Sequence, residues 1–211
     1  SADCPHSVIN EYAMMKLAAR LGLDAPAVWR HYCPQPVYIV ERFDRSPRRI
    51  KNPMPEPKGD DKLVTDRLHV IDTCQLLNKA HTFKYTQATL ATLLEVVEAT
   101  RNRLATRLGL FRWLVFNILI ANHDNHLKNV SLMVGQDGVS LAKTYDLACT
   151  GIYHTQAYPS EGAKWPEIDL AVPLPNQPRY ANVTRQGLVD AGAALGLPPV
   201  WALAGAAAIR S

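Results

Sequence analysis

The sequence lacks the features that mark several common classes of protein. It has four scattered cysteines that form no C-x-x-C pair: Cys4, Cys33, Cys74 and Cys149. Such a pattern favours reduced thiols over a disulfide framework. The first residues do not combine a basic start with an apolar run, so no secretory signal is predicted. The apolar run from Leu114 to Ala121 is too short to span a bilayer. We therefore expect a soluble, cytoplasmic protein that does not contact a membrane.

A strong charge of one sign is also missing. The formal net charge is only +4, and no basic helix with a phosphate-facing period stands out. We therefore predict no direct contact between this segment and nucleic acid. Apolar residues make up 47% of the 211 residues, which is enough to bury a sizeable core. No internal repeat or low-complexity tract is present.

Apolar spacing predicts a largely helical chain with a few strands. One amphipathic helix is predicted from Val8 to Leu21, with Gly22 as its stop. Further helices are predicted over 70–77, after an N-cap at Thr86, over 104–120, from Thr184 to Leu195, and over 200–209. Strands are predicted over 36–40 and in a hairpin of 130–134 and 139–142. The stretch 46–62 carries four prolines and many charges, so we expect a surface loop there.

The segment ANHDNHLKN, residues 121–129, carries the most informative polar groups. It lies between a predicted buried helix and a predicted hairpin, where polar side chains are costly unless they have partners. Asp124 and Asn129 are five residues apart, and Asp146 follows the hairpin. This is the D-x-x-x-x-N spacing of a kinase catalytic loop, followed in order by a metal-binding aspartate.

Phosphoryl transfer needs these types of group. Asp124 is a candidate to accept the proton of an attacking hydroxyl. Asn129 and Asp146 are candidate magnesium ligands, and the Lys128 ammonium could offset charge that develops on the transferred group. Each residue also has a structural alternative, as a turn cap or a strand end. A zinc hydrolase that uses His123, Asp124 and His126 is a further alternative.

The segment NILIANHDNHLKNVSLM resembles the catalytic loop of the HipA family of serine/threonine kinases. Other segments resemble motifs of the same family in the same order: NEY at 10–12, VERFDR at 40–45, RLH at 67–69, DTCQ at 72–75 and YDL at 145–147. The resemblance extends roughly from Val8 to Leu197. It implies an α+β, protein-kinase-like fold with a partial small lobe and hinge over 1–45 and a mostly helical lobe over 63–211.

The resemblance also implies site residues, cofactors and partners. Asp124 resembles the catalytic aspartate, and Asn129 and Asp146 resemble the magnesium ligands. The resemblance also places five more residues around the nucleotide: Lys128, His126, Glu41, Phe43 and Glu11. Lys128 and His126 would lie near the phosphates, Glu41 and Phe43 would meet the adenine of ATP, and Glu11 would pair with a nucleotide-binding lysine. The implied substrate is a protein hydroxyl, and the implied partner is a DNA-binding antitoxin.

The family's glycine-rich phosphate loop and its lysine strand have no counterpart in this sequence. We therefore expect a fragment or a degenerate relative with weak ATP affinity and poor turnover, because those groups supply much of the grip on ATP. The alternatives are a non-catalytic kinase-like module that binds an antitoxin or regulator, and a small-molecule kinase of similar architecture.

Overall fold

The computed structural model describes residues 5–50, 62–80, 82, 84–154 and 165–201. Helices are α1 (Ser7–Arg20), α2 (Thr73–Leu76), α3 (Leu90–Ala99), α4 (Arg103–Leu119) and α5 (Arg185–Ala194). Strands are β1 (Val28–Tyr32), β2 (Pro36–Val40), β3 (Arg45–Ile50), β4 (Lys62–Arg67), β5 (His69–Asp72), β6 (Ser131–Gly135), β7 (Gly138–Leu141), β8 (Asp169–Leu174) and β9 (Gln177–Arg179). The fold is thus a mixture of helices and small antiparallel sheets.

Helix α1 packs against the antiparallel pair β1–β2 through a small core. The buried residues of this core are Met15, Ala18, Leu23, Val28, Phe116, Ile120 and Leu147. Phe116 lies in the last turn of α4, Ile120 is the residue that caps this helix, and Leu147 follows Asp146. The cluster therefore fixes α1 and β1–β2 beside the end of α4 and the segment around Asp146.

Helix α4 is the centre of the larger core. Its buried side chains include Leu110, Phe111, Leu114 and Val115, each no more than 1% exposed. The three-stranded sheet β5–β6–β7 also contributes to this core, through Leu132 and Ile71 among others. A helix that is apolar nearly all round must be buried, as its sequence predicts. Of the described helices, none is long and apolar enough to cross a membrane.

The prediction of a surface loop over 46–62 is wrong at both ends. Strand β3 covers Arg45–Ile50 and pairs antiparallel with β4, which begins at Lys62. Pro47 is tolerated because this sheet has two strands, and each strand has a free edge that needs no N–H donor. An ion pair between Arg48 and Asp66 joins the two strands. Residues 51–61 lie outside the described part of the chain.

The helix predicted over 70–77 is wrong in its first half. Val70 and Ile71 belong to β5 and pair with Met133 and Leu132 of β6. Asp72 then caps α2, accepting a hydrogen bond from the Gln75 N–H at 2.8 Å within a capping box. A short apolar run cannot distinguish strand from helix by its period, and pairing with β6 decides it here.

Other helix boundaries follow the expected caps with one exception. The cap of α3 is Thr89, which accepts from Thr92 N at 3.1 Å, so the expected cap at Thr86 is wrong. Thr184 caps α5 as predicted, accepting from Gly187 N at 3.1 Å. The predictions for α1, β2, α4 and the β6–β7 hairpin are confirmed within two residues. The helix predicted over 200–209 lies mostly outside the described residues.

Candidate active site

Two buried asparagines attach the segment around Asp124 to the end of α4. The Asn117 amide donates to the Trp113 carbonyl at 2.8 Å, and the Asn122 amide donates to Asn117 Oδ1 at 2.8 Å. The Asp124 N–H in turn donates to Asn122 Oδ1 at 3.2 Å. This chain of hydrogen bonds fixes the backbone of Asp124 relative to the core, and sequence reasoning did not identify either asparagine.

Asn129 lies next to Asp124 at the end of a short 3₁₀ turn, Leu127–Asn129. Its side-chain amide donates to the Asp124 carbonyl at 3.1 Å. Asn129 is only 6% exposed, whereas the Asp124 side chain is open to solvent. The five-residue spacing therefore closes into one compact loop.

Asp146 is brought to this loop by its neighbour Tyr145. The Tyr145 hydroxyl donates to the Lys128 carbonyl at 2.7 Å and hydrogen-bonds with Ser131 Oγ at 2.6 Å. Asp146 has a φ of 57°, a left-handed conformation that Asp and Asn adopt more readily than most residues. Burial and the nearby Asp124 charge raise the pKa of the Asp146 carboxyl, while His126 and a hydrogen bond from Asn129 lower it. Asp124, Asn129 and Asp146 therefore lie together.

A cleft of about 580 Å³ opens beside Asp146. Its lining includes Glu41 and Phe43, and the Phe43 ring stacks on Tyr145 with 5.8 Å between centroids. The Glu41 N–H already donates to the Ala27 carbonyl at 2.9 Å. An adenine at this position would therefore have to use backbone groups other than the Glu41 N–H.

One wall of the cleft carries an acidic residue of α1, Glu11. Burial, and secondarily the charge of Asp146, raise the pKa of the Glu11 carboxyl to about 7. The Tyr38 hydroxyl on the same wall is buried and has no hydrogen-bond partner among the described residues. Burial and the charges of Glu11 and Asp146 also raise the pKa of Tyr38. This wall would accommodate a cation or a hydrogen-bonding ligand.

The structure places His126 and Lys128, the two residues predicted near the phosphates, in different surroundings. His126 is buried near both carboxylates, and burial together with the charge of Lys84 lowers its pKa. Lys128 is exposed, and its charge partly offsets the rise that burial causes in the pKa of the Cys74 thiol. Lys84, not Lys128, joins His126 in lowering the pKa of Asp146. Sequence reasoning missed Lys84, which lies in a stretch without a periodic pattern.

Tyr85 contacts the Asp124 carboxylate directly. Its phenol donates a hydrogen bond to Asp124 Oδ1, and its ring meets the His126 ring edge-on at 5.0 Å. The Leu127 N–H donates to the Lys84 carbonyl at 3.1 Å, which holds this stretch against the loop. Nothing in the sequence around Tyr85 predicts the contact, because 39 residues separate it from Asp124.

The histidines of the zinc alternative have separate neighbours. His123 Nε2 lies 3.3 Å from His154 Nε2, and His123 Nδ1 lies 2.7 Å from Thr150 Oγ1, whereas His126 packs on Tyr85. In the described part of the chain, no three His, Cys, Asp or Glu side chains gather into a metal-binding group. The three residues of that alternative are therefore not arranged as a set of zinc ligands.

The residues near Asp146 fit magnesium better. Mg²⁺ prefers oxygen ligands and usually takes one or two carboxylates together with the phosphates of a substrate. Asp146 offers a carboxylate, and the Asn129 side chain that hydrogen-bonds to it also carries an amide oxygen. The neighbouring Asp124 charge raises the pKa of Asp146, and a divalent cation would relieve that repulsion.

Comparisons with known proteins identify the family to which this chain is similar. The family model described as HipA-like C-terminal domain matches residues 1–198. Over 163 residues the chain is 29% identical to the serine/threonine-protein kinase toxin HipA of Shewanella oneidensis. That match covers 70% of this chain and 35% of the relative, so the chain spans about a third of that protein's length.

Two solved structures resemble the fold. One is the HipA, HipB and operator DNA complex of Shewanella oneidensis, with a TM-score of 0.76, 24% identity, and coverage of 97% of this chain and 47% of that chain. The other is the Helicobacter pylori proinflammatory kinase CtkA, with a TM-score of 0.55, 10% identity, and coverage of 98% of this chain and 84% of that chain. At these identities the likeness concerns the fold.

Proposed function

Because this chain belongs to the family of HipA-like C-terminal domains, we propose that it is the catalytic part of a serine/threonine protein kinase. The proposed reaction transfers the γ-phosphate of ATP to a protein hydroxyl. One observation carries the proposal: Asp124, Asn129 and Asp146 lie together beside a cleft of about 580 Å³.

The elements map onto a two-lobed kinase in this proposal. Residues 1–45, with α1 and β1–β2, form part of the small lobe and the hinge, and residues 63–211 form the larger lobe. The cleft between them takes ATP, with its adenine between Glu41 and Phe43 and its phosphates toward Asp146. This orientation places the polar end of the nucleotide beside the carboxylate, amide and histidine groups.

In the proposed chemistry, Asp124 accepts the proton of the attacking hydroxyl. The hydroxyl oxygen bonds to the γ-phosphorus as the bond to the ADP oxygen breaks. Asn129 and Asp146 hold Mg²⁺, which would neutralise charge on the phosphates when bound. His126 lies next to this position. Of the two lysines, Lys84 is the one whose charge reaches Asp146, so we assign it the role that the sequence suggested for Lys128.

The proposed partner is a DNA-binding antitoxin. The Shewanella oneidensis HipA structure is a toxin–antitoxin complex with HipB and operator DNA, and its fold matches 97% of this chain. By this likeness, the whole protein would be the toxin of such a pair. The alternative is a kinase-like module that binds an antitoxin or regulator without catalysis.

Calorimetric titration with ATP and Mg²⁺ tests the site. The variant Asp146→Asn removes the charge, and Asn still tolerates the left-handed backbone at this position. We expect magnesium-dependent binding that weakens by about tenfold or more in the variant, because one metal ligand loses its charge. Asp137→Asn, at an exposed hairpin turn, is the matched control.

Equal binding by Asp146→Asn, or binding that does not need Mg²⁺, would contradict the proposed site. Binding without phosphate transfer, even when a glycine-rich phosphate loop is supplied ahead of residue 1, would favour the non-catalytic module.

A further inference from the structure

A second groove is lined by Asp124 and by other residues that do not line the proposed ATP cleft. Its volume is about 770 Å³. The lining includes Tyr85 and Asp124. It also includes β8, β9 and the two residues before β8, which contribute Glu167, Asp169 and Arg179. The groove shares Asp124 with the proposed catalytic site, but Asp146 and the cleft-lining hinge residues are not part of it.

The groove is locally acidic. Arg179 is shared between two carboxylates, at 3.6 Å from Glu167 and 3.2 Å from Asp169. These carboxylates are 61% and 78% exposed, so both keep faces that are free to meet a ligand. Asp124 adds a third carboxylate, so three carboxylates and one arginine line the groove. The described lining therefore carries a net negative charge, although the whole chain is at +4.

The Tyr85 phenol shows where a hydroxyl can bind. It donates to Asp124 Oδ1, which is the hydrogen bond that an attacking hydroxyl must make to a catalytic base. Tyr85 is 44% exposed and lies on the groove wall, so it can move aside. A hydroxyl that replaces it would bring its neighbouring residues into the groove beside Glu167 and Asp169.

We propose that this groove binds the acceptor segment of the protein substrate, and that Glu167 and Asp169 select a segment with lysine or arginine next to the phosphorylated hydroxyl. The inference rests on the proposed kinase function, because Asp124, the proposed base, lines the groove. It goes further by giving the substrate a chemical class, a basic polypeptide segment that carries a hydroxyl.

Peptide binding measured by fluorescence anisotropy, without ATP, tests the groove. The probes are three labelled heptapeptides with one central serine, flanked by lysines, alanines or glutamates. We expect the lysine peptide to bind about tenfold more tightly than the glutamate peptide. The double variant Glu167→Gln/Asp169→Asn should weaken the lysine peptide roughly 3- to 10-fold and leave the alanine peptide unchanged.

The overall charge makes this test sharp, because a chain at +4 would on its own prefer the glutamate peptide. Asp66→Asn is the matched control, since Asp66 is also an exposed carboxylate paired with an arginine, but on β4. Thermal melting of each variant confirms that it is folded. Equal or tighter binding of the glutamate peptide would overturn the proposal, as would an unchanged lysine affinity in the double variant. Since no ATP is present, a failed groove is distinguished from a failed magnesium site, which the Asp146→Asn titration tests.

Discussion

At the scale of single residues, the Asp124 carboxylate already has a hydrogen-bond donor, the Tyr85 phenol. Burial and the contact with Asp124 raise the pKa of Tyr85, so the phenol remains protonated and able to donate across the physiological pH range. A substrate hydroxyl must therefore break this bond before it can reach the carboxylate.

Tyr85→Phe should tighten the binding of an acceptor hydroxyl. The variant keeps the ring that packs on His126 but loses the competing donor. We expect the serine-centred lysine peptide to bind about 2- to 5-fold more tightly, which is modest because the contact is solvent-exposed. Fluorescence anisotropy measures the change. A peptide with alanine in place of serine should gain nothing, and weaker binding of the serine peptide would contradict a competing role for Tyr85.

The site residues that the sequence identified lie close to one another along the chain, whereas those it missed lie far from them in sequence. Asp124 and Asn129 are close in sequence, and their spacing alone indicates a shared loop. Lys84 and Tyr85 reach the same loop through contacts between distant residues, among them the bond from the Leu127 N–H to the Lys84 carbonyl. That contact depends on tertiary packing, which no local pattern records.

At the scale of elements, helix α1 and the segment after Asp146 are joined by one side chain. Asn10, on α1, donates from Nδ2 to the Cys149 carbonyl at 3.0 Å and accepts from the Cys149 N–H at 2.8 Å. Asn10 is 9% exposed, so both bonds are largely shielded from water. The side chain thereby substitutes for a backbone partner and holds this segment at a fixed distance from α1.

Asn10→Ala should loosen the proposed magnesium site as well as the fold. The change removes three hydrogen bonds, two to the Cys149 backbone and one to the Tyr153 hydroxyl at 3.3 Å, so we expect a loss of about 2–3 kcal/mol in unfolding free energy. Urea unfolding measures it, and calorimetry should show weaker magnesium-dependent ATP binding. Asn102→Ala, which removes the α4 N-cap, should cost about 1 kcal/mol without affecting ATP. Unchanged ATP affinity in Asn10→Ala would contradict the link between α1 and Asp146.

The elements that the sequence predicted well are those with a long apolar periodic pattern, such as α4, or with a clear capping residue, such as α5. Strand β1 and strands β8 and β9 were not predicted. The burial of β1 is confined to Val28, so the strand lacks the alternation that marks a half-buried strand. Such strands are specified by their partners, β2 in this case.

At the scale of the whole molecule, the ATP cleft combines groups from distant parts of the chain whose charges have the same sign. Glu11 of α1 and Asp146 face the same space, and each raises the energy of the other's ionised form. Folding therefore brings together two carboxylates that the unfolded chain keeps apart. The repulsion between the two carboxylates therefore lowers stability at the proposed binding site. Such a cost is common at sites where a ligand supplies the opposite charge.

The Glu11 carboxyl should make stability depend on pH. Its pKa rises from 4.5 to about 7 on folding, so between these values the folded chain holds a proton that the unfolded chain has lost. The unfolding free energy therefore falls as pH rises through this range, and the full decrease is reached above about pH 7. Glu11→Gln removes the titration, so the variant should gain stability relative to the wild type at high pH.

Urea unfolding at about pH 5 and about pH 8 measures this gain. Because the Glu11 side chain is only partly buried, we expect about 1 kcal/mol more stabilisation by Glu11→Gln at the higher pH. Glu95→Gln, on the exposed face of α3, should show no such difference between the two pH values. If Glu11→Gln changed the unfolding free energy equally at both pH values, Glu11 would not be desolvated by folding beside Asp146. Magnesium and ATP should reduce the effect if they bind here, because they would supply the positive charge that the two carboxylates share.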